Sequence, residues 1–250
     1  MTYSSVTPKK NSKNLVFLHG WGGSWQSWYP ILERLKNDFN LYAPDLPGFS
    51  NEPIQIPYHL DNYVDFVINF LKAQKIKNPI LIGHSFGGAI ATKIAADQCF
   101  PLEKIILVDA AAIRHPYSPR QKLTINTVSS IKKILSLPII KTILPPIQKI
   151  YYRATHQQDS DYAALKDQPI LQKTFQNLIQ HDLSKILHLI KIPTLVVWGE
   201  NDLSTPLDDG QKINSLIPRS KIIVYKNSSH FSYLENQDIF VTDIKKFINS

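Results

Sequence analysis

Gly83-His84-Ser85-Phe86-Gly87 stands between a short apolar run, 79–83, and a helix-like segment, 88–96. A serine with glycine two positions away on both sides, on a turn from strand to helix, is typical of a nucleophile elbow. The strained turn lifts the serine hydroxyl above the sheet and brings backbone segments close together. A side chain at either glycine would therefore collide with neighbouring backbone. The helix that follows points free N–H groups and the positive end of its dipole at the reacting atoms. The stretch therefore predicts Ser85 as a nucleophile, with His84 pointing away from it.

Further apolar runs, rich in β-branched residues, recur on both sides of this stretch. They are short and almost continuously apolar, as expected of parallel strands that are buried on both faces. The runs lie at 14–19, 39–43, 79–83, 104–108, 194–198 and 221–225. Helix-period segments stand between them, for example 59–73 and 238–248. The alternation predicts βαβ units, and hence an α/β fold with a mainly parallel sheet flanked by helices.

The alternation stops between residues 112 and 191. This segment has no strand-like run, and prolines punctuate its helix-period stretches. We therefore predict a core made of residues 1–111 and 192–250, with a helical cap, 112–191, inserted between two strands of the sheet. The cap segment holds 12 Lys and Arg against 4 Asp and Glu, so it accounts for the whole net charge of +8.

The glycine-rich loop His19-Gly20-Trp21-Gly22-Gly23 closes the first apolar run. Acyl transfer creates a negatively charged oxygen, which two backbone N–H groups stabilise when they are aimed at it in advance. One donor is expected from the residue after the nucleophile, Phe86, and the other from this loop, at Trp21. A histidine at a strand end beside glycine is expected to bond loop backbone, so His19 is not the predicted base.

An acid and a base follow the last two predicted strands. Asp202 comes after the run 194–198, and His230 comes after 221–225. The chain order Ser85, Asp202, His230 is the order typical of a nucleophile-elbow triad. His230 is then the base, and Asp202 orients it. Asp109 also follows a strand and is the alternative acid, whereas Glu200 is a weaker one.

The composition argues against several other classes. Cys99 is the single cysteine, which rules out an internal disulfide and a multi-thiolate metal site. The spacing of histidines and carboxylates fits no metal set, and the glycine loops have no phosphate-binding pattern, so neither metal nor cofactor is expected. The absence of a bilayer-length apolar run and of a signal-peptide core favours a cytoplasmic protein, which we expect to be a monomer.

Taken together, these motifs resemble those of the α/β-hydrolase superfamily over essentially the whole chain. The matching stretches are 19–22, 45–48, 83–88, 199–202 and 229–231. The resemblance implies a serine hydrolase of the carboxylesterase type, which forms an acyl-Ser85 intermediate on a small or medium acyl ester. It also implies that the usual leading antiparallel hairpin is shortened to about residues 2–6.

Within that superfamily the chain is similar to the small capped carboxylesterases, among them the pimeloyl-carrier-protein methyl ester esterases. A carbon–carbon bond hydrolase or a cofactor-free lyase of the same fold stays open, as does a ligand-binding protein without activity. The basic cap is expected to pack over the site with its lysines in solvent, or to recruit an acidic acyl-carrier protein by its field. Membrane contact is a third, weaker alternative. Nucleic acid is disfavoured, because no recognised binding module accompanies the charge.

Overall fold

The computed structural model describes residues 2–4, 12–49, 53–114, 165 and 167–250 of the 250-residue chain. Seven strands within these residues form one sheet. They are β1 (Thr2–Ser4), β2 (Asn14–Leu18), β3 (Asn40–Pro44), β4 (Ile80–His84), β5 (Lys104–Val108), β6 (Thr194–Gly199) and β7 (Ser220–Tyr225).

The sheet has the strand order β1-β3-β2-β4-β5-β6-β7. β1 pairs antiparallel with β3, and every other pairing is parallel. The predicted mainly parallel sheet is confirmed. A single antiparallel strand, residues 2–4, lies where the shortened hairpin was expected.

Helices follow the strands in the predicted alternation. They are α1 (Tyr29–Leu35), α2 (Leu60–Ala73), α3 (Phe86–Asp97), α4 (Pro169–Leu178), α5 (Leu207–Leu216), α6 (Ser232–Glu235) and α7 (Gln237–Asn249). Two short 3₁₀ turns, Trp25–Trp28 and Leu187–Leu189, add to them. The described helices thus flank the sheet as the fold class requires.

Two apolar layers enclose the sheet, one on each face. Because successive side chains of a strand point to opposite faces, β2 contributes to both layers. Val16 and Leu18 pack with the buried residues of α2 and α3, whereas Leu15 and Phe17 pack with those of α1 and α7. β2 to β6 are buried along nearly their whole length, while β7, at the end of the sheet, is only half-buried. The layers hold the strand ends, and the loops on them, in fixed positions.

The chain divides into two units, one formed by Met1–Arg114 with Gln168–Ser250 and the other by His115–Asp167. The first contains the sheet. The described residues 112–114 and 168–191 of the predicted cap belong to this first unit, and they include α4. Almost all of 115–167 lies outside the described residues, so the extent of the cap stays a prediction. No described helix is long and apolar enough to cross a membrane.

Candidate active site

Ser85 sits on a tight turn between β4 and α3. Its backbone φ is +51°, which is unusual for a residue with a side chain, and it is the one partly exposed residue between positions 79 and 92. A Cβ at Gly83 would lie 2.3 Å from the Gly87 carbonyl oxygen, and one at Gly87 would lie 2.2 Å from that of Leu18. Both glycines are therefore dictated by close backbone approach, as the sequence predicts. The turn holds the Ser85 hydroxyl above the carboxyl end of the sheet.

The structure brings Ser85, His230 and Asp202 together. His230 lies on the loop after β7, and its Nε2 is 3.0 Å from Ser85 Oγ. Its other ring nitrogen, Nδ1, is 2.8 Å from Oδ2 of Asp202, on the loop after β6. Since a carboxylate accepts and does not donate, Nδ1 carries the proton and Nε2 is free to accept the one on Ser85. The hydrogen bonds therefore run in one direction, from the Ser85 hydroxyl to His230 and from His230 to Asp202.

Asp202 is buried and surrounded by donors. Its Oδ1 accepts the backbone N–H groups of Ser204 at 2.8 Å and Thr205 at 3.0 Å. The Thr205 hydroxyl donates to its Oδ2 at 2.7 Å and lies 3.3 Å from His230 Nδ1. Burial alone would raise the pKa of Asp202, but His230 and Thr205 outweigh it, and the pKa lies below its ordinary value. Asp202 is thus held as a carboxylate.

Asp109, the alternative acid, has different partners. It is fully buried after β5, and its Oδ1 accepts the N–H of Gly199 at 2.8 Å. Its Oδ2 accepts the hydroxyl of Ser232 at 2.6 Å and the N–H of Ser232 at 3.3 Å. Burial raises the pKa of Asp109 to about 7. Of the two carboxyls, Asp202 meets the imidazole, and Asp109 joins the loops on either side. Glu200 accepts the N–H of Asn227.

The loop after β2 is anchored by its own histidine. His19 is fully buried; its Nε2 accepts the N–H of Leu46 at 2.8 Å, and its Nδ1 is 2.8 Å from the Gly20 carbonyl. Burial lowers the pKa of His19, so the ring is neutral. His19 bonds loop backbone, as expected, and the N–H of Gly23 closes a turn on the Gly20 carbonyl at 3.1 Å. Trp21 lies on that turn.

Phe86 is the first residue of α3, so its N–H has no acceptor inside the helix. The side-chain rings of Phe86 and Trp21 lie 5.8 Å apart. A Cβ at Gly20 would lie 3.3 Å from Cβ of Ser85, so the glycine loop approaches Ser85 closely. The backbone N–H groups of Trp21 and Phe86 stay the predicted donors of an oxyanion hole.

An aromatic cluster adjoins the site. Trp21 is half-buried, and its ring lies 4.6 Å from that of Phe49 and 5.2 Å from that of Phe175 on α4. α4 is held in place because Thr174 Oγ1 accepts the N–H of Tyr58 at 2.9 Å and Asn177 donates to the Tyr58 carbonyl at 3.1 Å. Trp28, by contrast, is a core residue with no exposed surface. The cluster gives the site an apolar wall.

Two polar residues that contact the site, Thr205 and His84, are not among the residues predicted for it. Thr205 donates to Asp202 and lies close to the ring of His230, and His84 donates to the backbone carbonyl of His230. Thr205 stands three positions after Asp202, the spacing at which a side chain can bond an earlier carboxylate, and that signal was available in the sequence. Nothing in the sequence indicates the partner of His84. The described residues contain no group of three or more His, Cys, Asp and Glu that could hold a metal ion.

Comparison with known proteins gives consistent matches. The sequence model of the alpha/beta hydrolase family matches residues 15–243. The pimeloyl-(acyl-carrier protein) methyl ester esterase of Wigglesworthia glossinidia brevipalpis is 27% identical, over 95% of this chain and 94% of that protein. Lipase 3 of Moraxella sp. (strain TA144) is 26% identical, over 93% of this chain and 76% of its own length.

A solved structure shares the fold. The enol-lactonase from Burkholderia xenovorans LB400 superposes with a TM-score of 0.74, covering 100% of this chain and 96% of that one. The sequence identity is 19%, so the match speaks for the architecture alone.

Proposed function

The chain belongs to the alpha/beta hydrolase family, and from this premise we propose that it is a serine-dependent carboxylic ester hydrolase acting on a small or medium acyl ester. The observation that carries the proposal is the chain of contacts from Ser85 Oγ to His230 at 3.0 Å and from His230 to Asp202 at 2.8 Å. Nucleophile, base and orienting acid are each within reach of the next, which is the geometry that nucleophilic acyl transfer requires.

In the first half-reaction Ser85 Oγ attacks the carbonyl carbon of the ester. His230 Nε2 takes the Oγ proton as the new C–O bond forms. The tetrahedral intermediate then collapses: the bond to the alcohol oxygen breaks, and His230 returns the proton to that oxygen. The products are a free alcohol and an acyl-Ser85 ester. Asp202 stays ionised throughout and stabilises the charged imidazole.

In the second half-reaction water resolves the acyl-Ser85 ester. His230 takes a proton from the water as its oxygen bonds to the acyl carbon. The bond from that carbon to Ser85 Oγ then breaks, and His230 protonates Oγ. The carboxylic acid leaves, and the resting hydroxyl is restored.

The negative oxygen of both intermediates is assigned to the backbone N–H groups of Trp21 and Phe86. The N–H of Phe86 is supported by its place at the start of α3, where the helix dipole adds positive potential. Loss of one such donor typically costs about 2.7–4 kcal/mol of transition-state stabilisation. Aligning these two donors costs little free energy, because the sheet already holds both the loop after β2 and the start of α3.

The apolar wall of Trp21, Phe49 and Phe175 supports an acyl group with a hydrocarbon portion. Rings 4.6–5.2 Å apart offer a rigid surface against which methylene groups lose contact with water. Each buried methylene contributes about 0.8 kcal/mol, so the wall favours acyl chains longer than acetyl.

A second candidate is the methyl ester of an acyl group carried by an acidic carrier protein. Two observations favour it. The relative from Wigglesworthia glossinidia brevipalpis, which aligns with 95% of this chain, is named as an esterase of that kind. Residues 112–191 carry the whole net charge of +8. A positive field speeds encounter with an acidic partner, and salt screens it. If the carrier ester is the substrate, kcat/KM for it falls as ionic strength rises, whereas kcat/KM for a neutral ester does not change.

The test is hydrolysis of p-nitrophenyl acetate, butyrate, octanoate and palmitate by the wild type and by Ser85→Ala. We expect turnover by the wild type, highest for butyrate or octanoate, and a loss of about 10⁴-fold or more in the variant. The variant should unfold at the same urea concentration as the wild type, since it loses only a hydroxyl. Full activity in Ser85→Ala would refute the mechanism. A folded wild type without activity on any ester would instead favour carbon–carbon bond hydrolysis, lyase chemistry or ligand binding.

A further inference from the structure

His84, the last residue of β4, has its side chain between the two loops that carry the base and the expected oxyanion donor. The residue is 3% exposed, and its Nε2 lies 2.7 Å from the backbone carbonyl oxygen of His230. On its other edge, Nδ1 would lie 2.9 Å from a Cβ at Gly20. The ring therefore lies between the backbone of His230 on one edge and Gly20 on the other. His84 directly precedes Ser85 in the chain.

The orientation of the His84 ring is fixed by aromatic neighbours. Its centroid lies 5.1 Å from the ring of Phe231, 5.1 Å from that of Tyr233 and 6.4 Å from that of Trp28. The imidazole of His230 is 4.8 Å away. A ring enclosed in this way has little rotamer freedom to lose, so a hydrogen bond from it is preorganised.

The protonation of His84 follows from the same surroundings. Burial, together with the nearby charge that His230 acquires, lowers the pKa of His84 to about 3. The ring is therefore neutral at ordinary pH and carries a single proton. Because a carbonyl oxygen can only accept, that proton is on Nε2. His84 thus donates to the His230 carbonyl without placing a second positive charge beside the base.

We propose that His84 is a positioning residue, which ties the backbone of the base to the strand of the nucleophile and so sets the distance between His230 Nε2 and Ser85 Oγ. The inference rests on the proposed function of the triad. Other anchors of the loop act on neighbouring residues: Glu235 accepts from the N–H and the hydroxyl of Ser229, and Asp109 accepts from Ser232. The bond from His84 is made to His230 itself.

This role matters because the loop follows β7, the half-buried last strand of the sheet. Ser85 is anchored to the centre of the sheet, since its N–H donates to the Val108 carbonyl at 3.0 Å and its carbonyl accepts the N–H of Ala111 at 2.9 Å. Base and nucleophile therefore depend on strands that differ in rigidity. A direct bond from β4 to residue 230 compensates for that difference.

The experiment compares His84→Gln with His84→Met. The two side chains have nearly the same length, but only glutamine offers an N–H near the position of Nε2. Loss of one hydrogen bond corresponds to roughly threefold to tenfold in rate, so we expect kcat of His84→Met to be about tenfold below wild type with KM within about twofold. His84→Gln should restore kcat to within about threefold of wild type. The substrate is p-nitrophenyl butyrate, with Ser85→Ala as the blank.

A second readout does not depend on turnover. The proton on His230 Nδ1, bonded to Asp202, is expected to give a separate low-field proton resonance in the wild type and in His84→Gln. The same resonance should broaden in His84→Met, because a base that is no longer held exchanges its proton with water more readily. Melting temperatures of both variants identify any general loss of fold.

The outcomes separate cleanly. Equal kcat in His84→Met and wild type would overturn the inference, and so would an equal loss in His84→Met and His84→Gln that follows their melting temperatures, since the ring would then serve packing alone. Wild-type protein without esterase activity, or an active Ser85→Ala, would refute the proposed function instead. The resonance comparison would then still decide whether His84 holds His230.

Discussion

The loops after β5 and β6 each carry a buried aspartate close to the end of the strand, yet the two carboxyls differ in their partners. Asp109, after β5, accepts from the backbone N–H of Gly199 and from Ser232. Asp202, after β6, meets the His230 ring at 2.8 Å. Position at the carboxyl edge of the sheet is common to both, so position alone does not choose the acid.

The partners also set the charge of each carboxyl. His230 and Thr205 hold the pKa of Asp202 below its ordinary value, whereas burial raises that of Asp109 to about 7. The Asp202 carboxyl contacts the imidazole of His230, whereas the Asp109 carboxyl contacts the segments around Gly199 and Ser232.

The largest expected effect separates the two carboxyls by activity. In Asp202→Asn the amide oxygen would keep the two backbone N–H donors, so its NH₂ group would face His230 Nδ1. The imidazole would then carry its proton on Nε2 and could not accept one from Ser85. We expect kcat/KM to fall about 10³- to 10⁴-fold. In Asp109→Asn the amide can still accept from Gly199 and donate to the Ser232 hydroxyl, so the loss should stay below about tenfold.

The measurement is kcat/KM on p-nitrophenyl butyrate for both variants, with urea unfolding to verify that each is folded. A fall in Asp109→Asn as large as that in Asp202→Asn, at unchanged stability, would erase the distinction and make Asp109 the acid.

The next effect separates the carboxyls by the pH dependence of stability. The unfolded chain ionises Asp109 near 3.8, but the folded chain keeps its proton up to about 7. Between these values the folded state binds more protons, so the free energy of unfolding decreases as pH rises, by at most about 1.4 kcal/mol per pH unit. Asp202 has the opposite sign: its folded pKa is lowered, so its contribution is present above its ordinary pKa and is lost as pH falls through the folded one.

Urea unfolding of wild type and Asp109→Asn between pH 4 and pH 7 tests this sign. The variant has no proton to lose at residue 109, so its stability should improve relative to wild type as pH rises across the interval. A difference between the two proteins that stays constant with pH would mean that Asp109 is ionised in the folded state.

The smallest effect concerns the residue that contacts both loops. The Thr205 hydroxyl lies 2.7 Å from Asp202 Oδ2 and 3.1 Å from the Asp109 carbonyl oxygen. Thr205→Val removes that donor with little change of shape, and a bond to a charged group gives an expected loss of about tenfold in kcat. Thr205→Ser keeps the hydroxyl and should retain most of the activity. Equal activity in the valine and serine variants would show that Asp202 needs only the backbone donors.

Much of the fold was available from the sequence. The six predicted parallel strands are present within one residue of their predicted bounds, because buried parallel strands leave a nearly continuous apolar signature. The resemblance to the α/β-hydrolase superfamily is confirmed. The roles of Ser85, Asp202 and His230 stay predictions, although the structure brings the three side chains into contact. Helices α1 and α5 were not predicted individually, since short amphipathic segments carry a weaker periodic signal.

The contacts of the buried polar residues were not available from the sequence. Asp109 and Asp202 both follow strands, and only the three-dimensional path of the 230–233 loop shows which of them meets an imidazole. His84 was expected to point away from Ser85, but its partner is a backbone carbonyl 146 positions later in the chain. A hydrogen bond of that kind depends on where two distant loops end, and no local pattern encodes it.

The place of β7 at the end of the sheet has a consequence for how the protein loses activity on heating. Its residues are half-buried, whereas β4 is buried throughout. Segments with fewer buried contacts open at lower free-energy cost than the centre of a sheet. Heat should therefore first release the imidazole and leave an intact elbow, so that early inactivation is reversible on cooling and precedes the cooperative melting of the core.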